Sequence, residues 1–477
     1  MKRLPSELAA LSLAEIGSKL LGLVAITYLA RTLGPEGMGI IALGTAILMY
    51  GSICADLGLP ILGTRSAAVE KVSLGSLRIK ISSARLLLSI SVALLGGALL
   101  WFIISNTVSR DVAILYLIGL IPASLSLDWL FQGIRRIGTL ALARILGMTV
   151  YLVMVLTLVE SSGDMIFVPI AWGGGVAVQA LFLWLYSKYI PTSSLETKPL
   201  DSTPIKLMRE SIPLGFANLI AQVVLHFPII YLTLFESSSD VGLYNIAFRV
   251  IVVFLMLDRV YYTLFFPIIS RSAQEGREVL QRRFYRAVKF IALIGFFLGT
   301  VFIITGGKLF PLLFGNEFRA SVPIFDILVI YFILTLLSST LSFTLIALKK
   351  EKLYTRSLIV GAIGFTGILL FPLPGDSQLV APLALVVFQL ITFLVMVRHI
   401  QDEIPFSIER VVLFPMLVIM VLLTGGAMVM HLLSLIPHLR AHETSLHLVC
   451  RLLLEKKNTS IIYTAFTTTR PQFLPIH

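Results

Sequence analysis

Charge is what this sequence has least of. Only 13% of its 477 residues are Asp, Glu, Lys or Arg, roughly half the 25% that keeps an ordinary globular domain solvated. A water-soluble fold is therefore excluded. Cysteine is almost absent too, with Cys54 and Cys450 the two present, and that excludes a disulfide-stapled scaffold. There is no Gly-x4-Gly-Lys-Ser/Thr loop to cradle a nucleotide phosphate, no Gly-x-Ser-x-Gly elbow and no His-Glu-x-x-His pair. His438, His442, His447 and Cys450 are spaced loosely like ligands but sit in an atypical polar tail. No enzyme activity, cofactor or metal site is expected.

What fills the chain is apolar. Hydrophobic residues make up 57% and mean hydropathy is +0.94. Runs of about 18–25 apolar residues recur along the chain, each long enough to cross about 30 Å of hydrocarbon. The expected class is an all-α polytopic membrane protein with about 12–14 transmembrane helices. Spans are predicted near 8–30, 38–60, 81–104, 112–131, 140–159, 166–187, 211–235, 241–268, 287–310, 321–348, 353–372, 378–397 and 411–433. Met1-Lys2-Arg3 precedes a run too long for a signal peptide, so the first helix is expected to be an uncleaved start.

The net charge of +12 would suit nucleic acid, but its placement argues for a bilayer. Of the Lys and Arg residues, 26 fall in loops and flanks on the side of the N-terminus and 5 in the opposite loops. That bias places the N-terminus in the cytoplasm. No nucleic-acid partner is expected.

The stretch Leu11–Leu62 sets the organisation. A first apolar helix leads into a hinge, Ala30-Arg31-Thr32-Leu33-Gly34-Pro35-Glu36-Gly37, and a second helix ends at Asp56-Leu57-Gly58-Leu59-Pro60. Glycine for unusual φ and a proline that cannot continue a helix suit a sharp reversal. The stretch recurs 203 positions later: Tyr28-Leu29 falls on Tyr231-Leu232, and Gly37-Met38-Gly39-Ile40 on Asp240-Val241-Gly242-Leu243. Glu15 and Lys19 fall on Asn218 and Gln222, each a polar pair four apart and so on one helix face. The longest polar interruption, Lys188–Glu210, follows the sixth span. Two six-helix lobes (1–187 and 211–398) are therefore expected, joined by a cytoplasmic linker (188–210) and related by a parallel pseudo-two-fold axis around a central cavity. A further helix (399–436) and a polar, disordered or unrelated tail (437–477) complete the expectation.

Polar groups inside apolar spans are expensive and mark sites by default. Arg249 lies eight residues into a long span, one turn from Asn245, and Lys19 is similarly deep. Both are expected to face a water-filled central path, the competing reading being a buried pairing such as Lys19 with Glu15. A guanidinium stays charged and matches phosphate oxygens as a fork. Asn218, Gln222 and His226 form a stripe at i, i+4, i+8 that lipid could not satisfy. Glu15, His226 and Asp56 are candidates for ion coupling or cavity lining. Asp56, Asp128 and Arg259 also read as ordinary interfacial residues near helix ends, and Asp258 beside Arg259 as an interfacial pair.

Ala30-Arg31-Thr32-Leu33-Gly34-Pro35-Glu36-Gly37-Met38-Gly39, followed by Asp56-Leu57-Gly58-Leu59 and Arg65, resembles the opening signature of bacterial polysaccharide flippases of the multidrug/oligosaccharidyl-lipid/polysaccharide (MOP) exporter superfamily, which also holds MATE-type multidrug exporters and lipid II flippases. Val241-Gly242-Leu243-Tyr244-Asn245-Ile246-Ala247 is similar to that family's eighth-helix entry, and Leu309–Phe318 to its ninth-to-tenth helix loop. The resemblance covers roughly residues 5–430 and leaves out the tail. It implies a multi-pass protein of the cell inner membrane that moves an undecaprenyl-pyrophosphate-linked oligosaccharide from the cytoplasmic to the periplasmic leaflet for surface polysaccharide biosynthesis. The implied partners are that lipid-linked oligosaccharide, the bilayer, H⁺ or Na⁺ as coupling ion, and a polysaccharide polymerase. Substrate contact would fall to Lys19, Arg249, Asn218, Gln222 and Asn245. The alternatives are a MATE-like cation-coupled drug antiporter, which would want an acidic cavity, and a polysaccharide polymerase or ligase, which would want a large periplasmic loop.

Overall fold

The computed structural model describes the backbone of residues 4–68, 73–190, 222–371 and 377–405, with side chains from residue 17 onward. All lie in one compact unit, Met1–Val412. The expected tail, the thirteenth span and residues 191–210 of the expected linker fall outside the described residues.

Helices are the only regular structure longer than a 3₁₀ turn among the described residues. Among the described residues, ten segments are long and apolar enough to cross a membrane. Helix α1 (Leu4–Asp56) supplies two of the expected spans because it breaks at Gly34, where φ is 66°. That positive φ suits glycine, and Pro35 behind it has no N–H to offer the ladder. The predicted eight-residue hinge is thus a single residue, with both limbs staying helical up to it. Asp56 ends the helix as expected, with Leu57 and Gly58 both at positive φ.

Next come α2 (Leu59–Ala68) and α3 (Leu74–Ile103). The predicted span 112–131 is broken into α4 (Thr107–Ile118), α5 (Leu120–Ser124) and α6 (Asp128–Gly133). One local cause is visible: Pro122 withdraws a donor. Nearby, Gly119 lies so close to Trp172 that a Cβ there would stand 2.7 Å from the ring. α7 (Ile137–Leu158) and α8 (Phe167–Ser187) cross with glycine on glycine, a Cβ on Gly175 falling 2.6 Å from the Gly147 carbonyl oxygen. Inside a bilayer apolar burial gives little drive to pair helices, so close backbone approach through small residues does that work.

The second half runs through α9 (Gln222–Phe235), α10 (Ser238–Phe254), α11 (Met256–Glu275), α12 (Arg277–Phe314), α13 (Ser321–Ala347), α14 (Glu351–Leu370) and α15 (Val380–Gln401). α10 starts with a reciprocal capping box, Ser237 with Asp240. α12 runs between Gly276 and Gly315, both at positive φ.

Packing sorts these helices into two bundles. α1 to α8 pack among themselves, as do α10 to α15, and α1 bridges the two through α10 and α12. The bridge is the predicted repeat meeting itself. A Cβ on Gly39 would lie 1.7 Å from the Ser238 carbonyl oxygen, and a Cβ on Gly242 would lie 1.9 Å from the Pro35 carbonyl oxygen. Gly39 and Gly242 are 203 positions apart, and so are Pro35 and Ser238. The contact is self-complementary, as it must be on a two-fold axis.

One apolar core passes through this junction, from Leu29, Met38 and Ile41 into Tyr244, Phe284 and Phe325. The basic end of the first bundle has a separate core around Leu59, Trp129, Phe131 and Leu183. The bundles therefore share an interior at the hinge end, and the first bundle packs by itself at the basic end.

Candidate functional site: the junction of the two bundles

Arg249 sits near the end of α10, half-buried, one turn beyond Asn245. Its Nε donates to Asn245 Oδ1 at 3.1 Å. Asn245 is 2% exposed and its Nδ2 has no hydrogen-bond acceptor among the described residues, so the amide orients the guanidinium while keeping a donor unused by them. The Arg249 charge acts on His226 of α9 and, across the junction, on Tyr116 of α4 and Tyr151 of α7. Tyr50 donates to the Val223 carbonyl at 3.0 Å, tying the second limb of α1 to α9. Gly44 gives Tyr116 its place, since a Cβ there would stand 2.5 Å from the ring.

A permanently charged fork among phenols and an imidazole is suited to an anion that carries hydroxyl-rich groups. Holding such a cation within the hydrocarbon costs about 2.5–3.5 kcal/mol on insertion scales, which favours a binding role or a partner. The three tyrosines were not among the sequence candidates. Their signal was a phenol deep in an apolar span, weaker than a full charge.

The other candidates are spread out. Lys19 is exposed on the first limb of α1, and Gln222 opens α9 half-buried. Asn218 and the side chain of Glu15 lie outside the described residues. Asp56 is engaged at the basic end, where Arg85 Nε donates to it at 2.8 Å. Arg85, 8% exposed, also donates to the Ser126 carbonyl at 3.0 Å. Nearby, Asp128 accepts from Arg144 at 3.1 Å and from Gln179 Nε2 at 2.9 Å. These pairs clasp the first bundle where helices end.

Asp258 differs from the interfacial pair expected. It accepts from the Ser339 hydroxyl and lines a cavity of about 300 Å³ inside the second bundle with Tyr331, Thr335, Gln389 and Thr392. Among the described residues no three His, Cys, Asp or Glu groups are placed to hold a metal ion.

At the hinge end the two bundles are also joined by charge. Arg31 Nε donates to the Leu313 carbonyl at 2.8 Å, and a second guanidinium nitrogen donates to Leu312. A cation on the last carbonyls of α12 satisfies groups the helix leaves open.

The family described as "Polysaccharide biosynthesis protein" matches residues 6–273, more than half of the chain. The chain belongs to that family. Among its relatives is the "Putative O-antigen transporter" of Shigella dysenteriae, 22% identical over 348 residues that make up 71% of this chain and 85% of that protein. A lipid II flippase, MurJ, in an inward closed conformation superposes with a TM-score of 0.65 at 13% identity, covering 87% of this chain and 92% of that one. A multidrug resistance MATE family transporter of the MOP superfamily, in an inward-facing conformation, gives 0.64 at 16% identity, covering 81% and 95%. The fold is that of the MOP superfamily, and the chain is a multi-pass membrane protein; the relatives it matches are transporters and flippases.

Proposed function

We propose that the protein flips a lipid-linked oligosaccharide, carried on a pyrophosphate-bearing polyprenol such as undecaprenyl pyrophosphate, from the cytoplasmic to the periplasmic leaflet of the inner membrane. The observation that carries this reading is Arg249, a permanent cation at the junction of the bundles with tyrosines and a histidine about it. Its guanidinium takes the pyrophosphate, Lys19 supplies a second cation from the first lobe, and Asn245, Asn218 and Gln222 wet the sugar. The prenyl tail stays in the bilayer between helices. The lobes, 1–187 and 211–398 about the 188–210 linker, rock as rigid bodies so that the cavity opens to each side in turn. The N-terminus lies in the cytoplasm, and the hinge end, closed through Gly39 and Gly242, faces the periplasm. Glu15, His226 and Asp56 remain candidates for coupling to H⁺ or Na⁺, and a polysaccharide polymerase takes up the product.

One observation favours a second reading, a MATE-like cation-coupled antiporter. It is the Asp258 carboxylate in its hydroxyl-lined cavity, a site of the acidic kind such a transporter needs. The experiment that separates the two locates the lipid-linked oligosaccharide in cells lacking this protein, using a membrane-impermeant sugar label on spheroplasts. Accumulation on the cytoplasmic face, relieved by complementation, supports the flippase. Unpolymerised units on the periplasmic face would mean that the flipping step is intact without this protein.

A further inference from the structure

A second cationic site lies away from the junction. At the basic end of the first bundle, the start of α3, α6 and the end of α8 enclose a cavity of about 190 Å³. With roughly 30 Å³ per water, it has room for several waters or one phosphate group. Gly75, Arg78, Leu130, Ser187 and Lys188 are among its lining residues, and none of the lining residues is acidic.

Arg78 is held in place and left incomplete. One guanidinium nitrogen donates to Ser187 Oγ, and the group lies over the Trp184 ring, 4.7 Å from its centre. Its Nε is buried with no acceptor among the described residues. A buried N–H without an acceptor is costly, and an oxygen-rich anion would remove the cost. Lys188, exposed at the end of α8, adds a second positive charge at the rim. Ser73, before α3, gives the helix no side-chain cap, so its first-turn amides add to the positive field.

The apolar part of the lining selects the carrier of that anion. Leu74, Leu130 and Ile190 share the cavity with the cations. Below it, α3 presents Ile79, Leu87 and Leu94 outward, 57–69% exposed. A headgroup with acyl chains fits that sequence of surfaces; a free ion uses only the first. We propose that this cavity binds the phosphate of an anionic phospholipid from the leaflet at the basic end, with Arg78 and Lys188 as its cations. The proposal rests on the membrane placement given above and is independent of the transported substrate.

The test uses the full-length protein in nanodiscs of phosphatidylcholine with or without phosphatidylglycerol. Lipid retained after extraction is read by native mass spectrometry, and the thermal midpoint is read in parallel. Wild type should retain one phosphatidylglycerol and gain thermal stability from it, and millimolar inorganic phosphate should do neither. Lys188→Gln should weaken retention about fivefold, the value of one cation near an anionic surface. Gly75→Val should block the site by volume, because a Cβ there meets nothing nearer than Ser73 Oγ at 3.9 Å and so spares the fold. Both variants should match wild type in pure phosphatidylcholine. Equal retention by wild type and both variants would overturn the site. Stabilisation by inorganic phosphate alone, lost in the variants, would overturn the lipid assignment. Neither outcome depends on flipping.

Discussion

The two ends of this molecule are built from opposite materials. At the hinge end, glycines bring α1 and α10 backbone to backbone, one apolar core runs through both bundles, and Arg31 caps α12 across the gap. At the basic end, the first bundle has its own core and is clasped by ion pairs such as Asp56 with Arg85 and Asp128 with Arg144. Packing of small residues depends on shape and has no tolerance for added volume, whereas clasping by charge leaves polar groups at a wet surface. The rocking proposed above needs a seam that closes by shape, and helices that stay together within each bundle when the seam opens. Arg249 lies on α10 beside that shared core, between Phe248 and Val250, which belong to it.

The largest effect should come from adding volume to the seam. Gly39→Leu places a side chain where even a Cβ would stand 1.7 Å from a carbonyl oxygen, and two backbones cannot yield as a flexible side chain can. Export should be abolished at matched protein levels. With both native cysteines, Cys54 and Cys450, replaced first, a cysteine at Met38 should be protected in the parent and reactive toward an impermeant maleimide in Gly39→Leu, since Met38 is 1% exposed. Unchanged protection would show that the seam tolerates the leucine and that the comparison of ends is wrong.

Arg249→Ala should be next. Losing a charge-assisted bond is worth about 1.5–3 kcal/mol, which is about ten- to a hundredfold in transport rate, with Arg249→Lys between the two because it keeps the charge and loses the fork. Export of labelled oligosaccharide in complemented cells reads this directly.

At the basic end, Asp56→Asn leaves Arg85 with its bond to the Ser126 carbonyl and no carboxylate. Breaking a buried pair costs several kcal/mol, but the Asp56 side chain is 37% exposed, so solvent screening brings the loss to about 1 kcal/mol. Thermal unfolding should show it, and replacing both partners by leucine should recover stability. Smallest is Arg31→Ala. Its cap is exposed, so closure should weaken by about 1 kcal/mol or less, seen as partial maleimide reactivity at the Met38 cysteine.

Much of this was legible in the sequence, for identifiable reasons. Apolar runs have one common solution in a bilayer, so the spans could be placed from length alone, and the repeat could be aligned on Gly39 and Gly242 because glycine at a backbone crossing admits no substitute with a Cβ. Less legible were features that need a neighbour to exist. Gly34 breaks α1 by itself, while the rest of the Ala30–Gly37 stretch stays helical because nothing else in it requires an unusual φ. The need for a residue without a Cβ at Gly119 depends on Trp172, 53 positions away. Arg249 stood out as a charge in an apolar run. Tyr116 and Tyr151 did not, because a phenol in a span is ordinary until a cation is found beside it.

The most direct test is flipping by purified protein in liposomes that carry a pyrophosphate-linked oligosaccharide with a fluorescent tag on the sugar. Wild type should bring the tag within reach of an external quencher far faster than empty liposomes do, and Arg249→Ala, reconstituted at equal density, should be about ten- to a hundredfold slower than wild type. Wild-type flipping by Arg249→Ala would contradict the account, because the anion would then cross without the cation assigned to hold it.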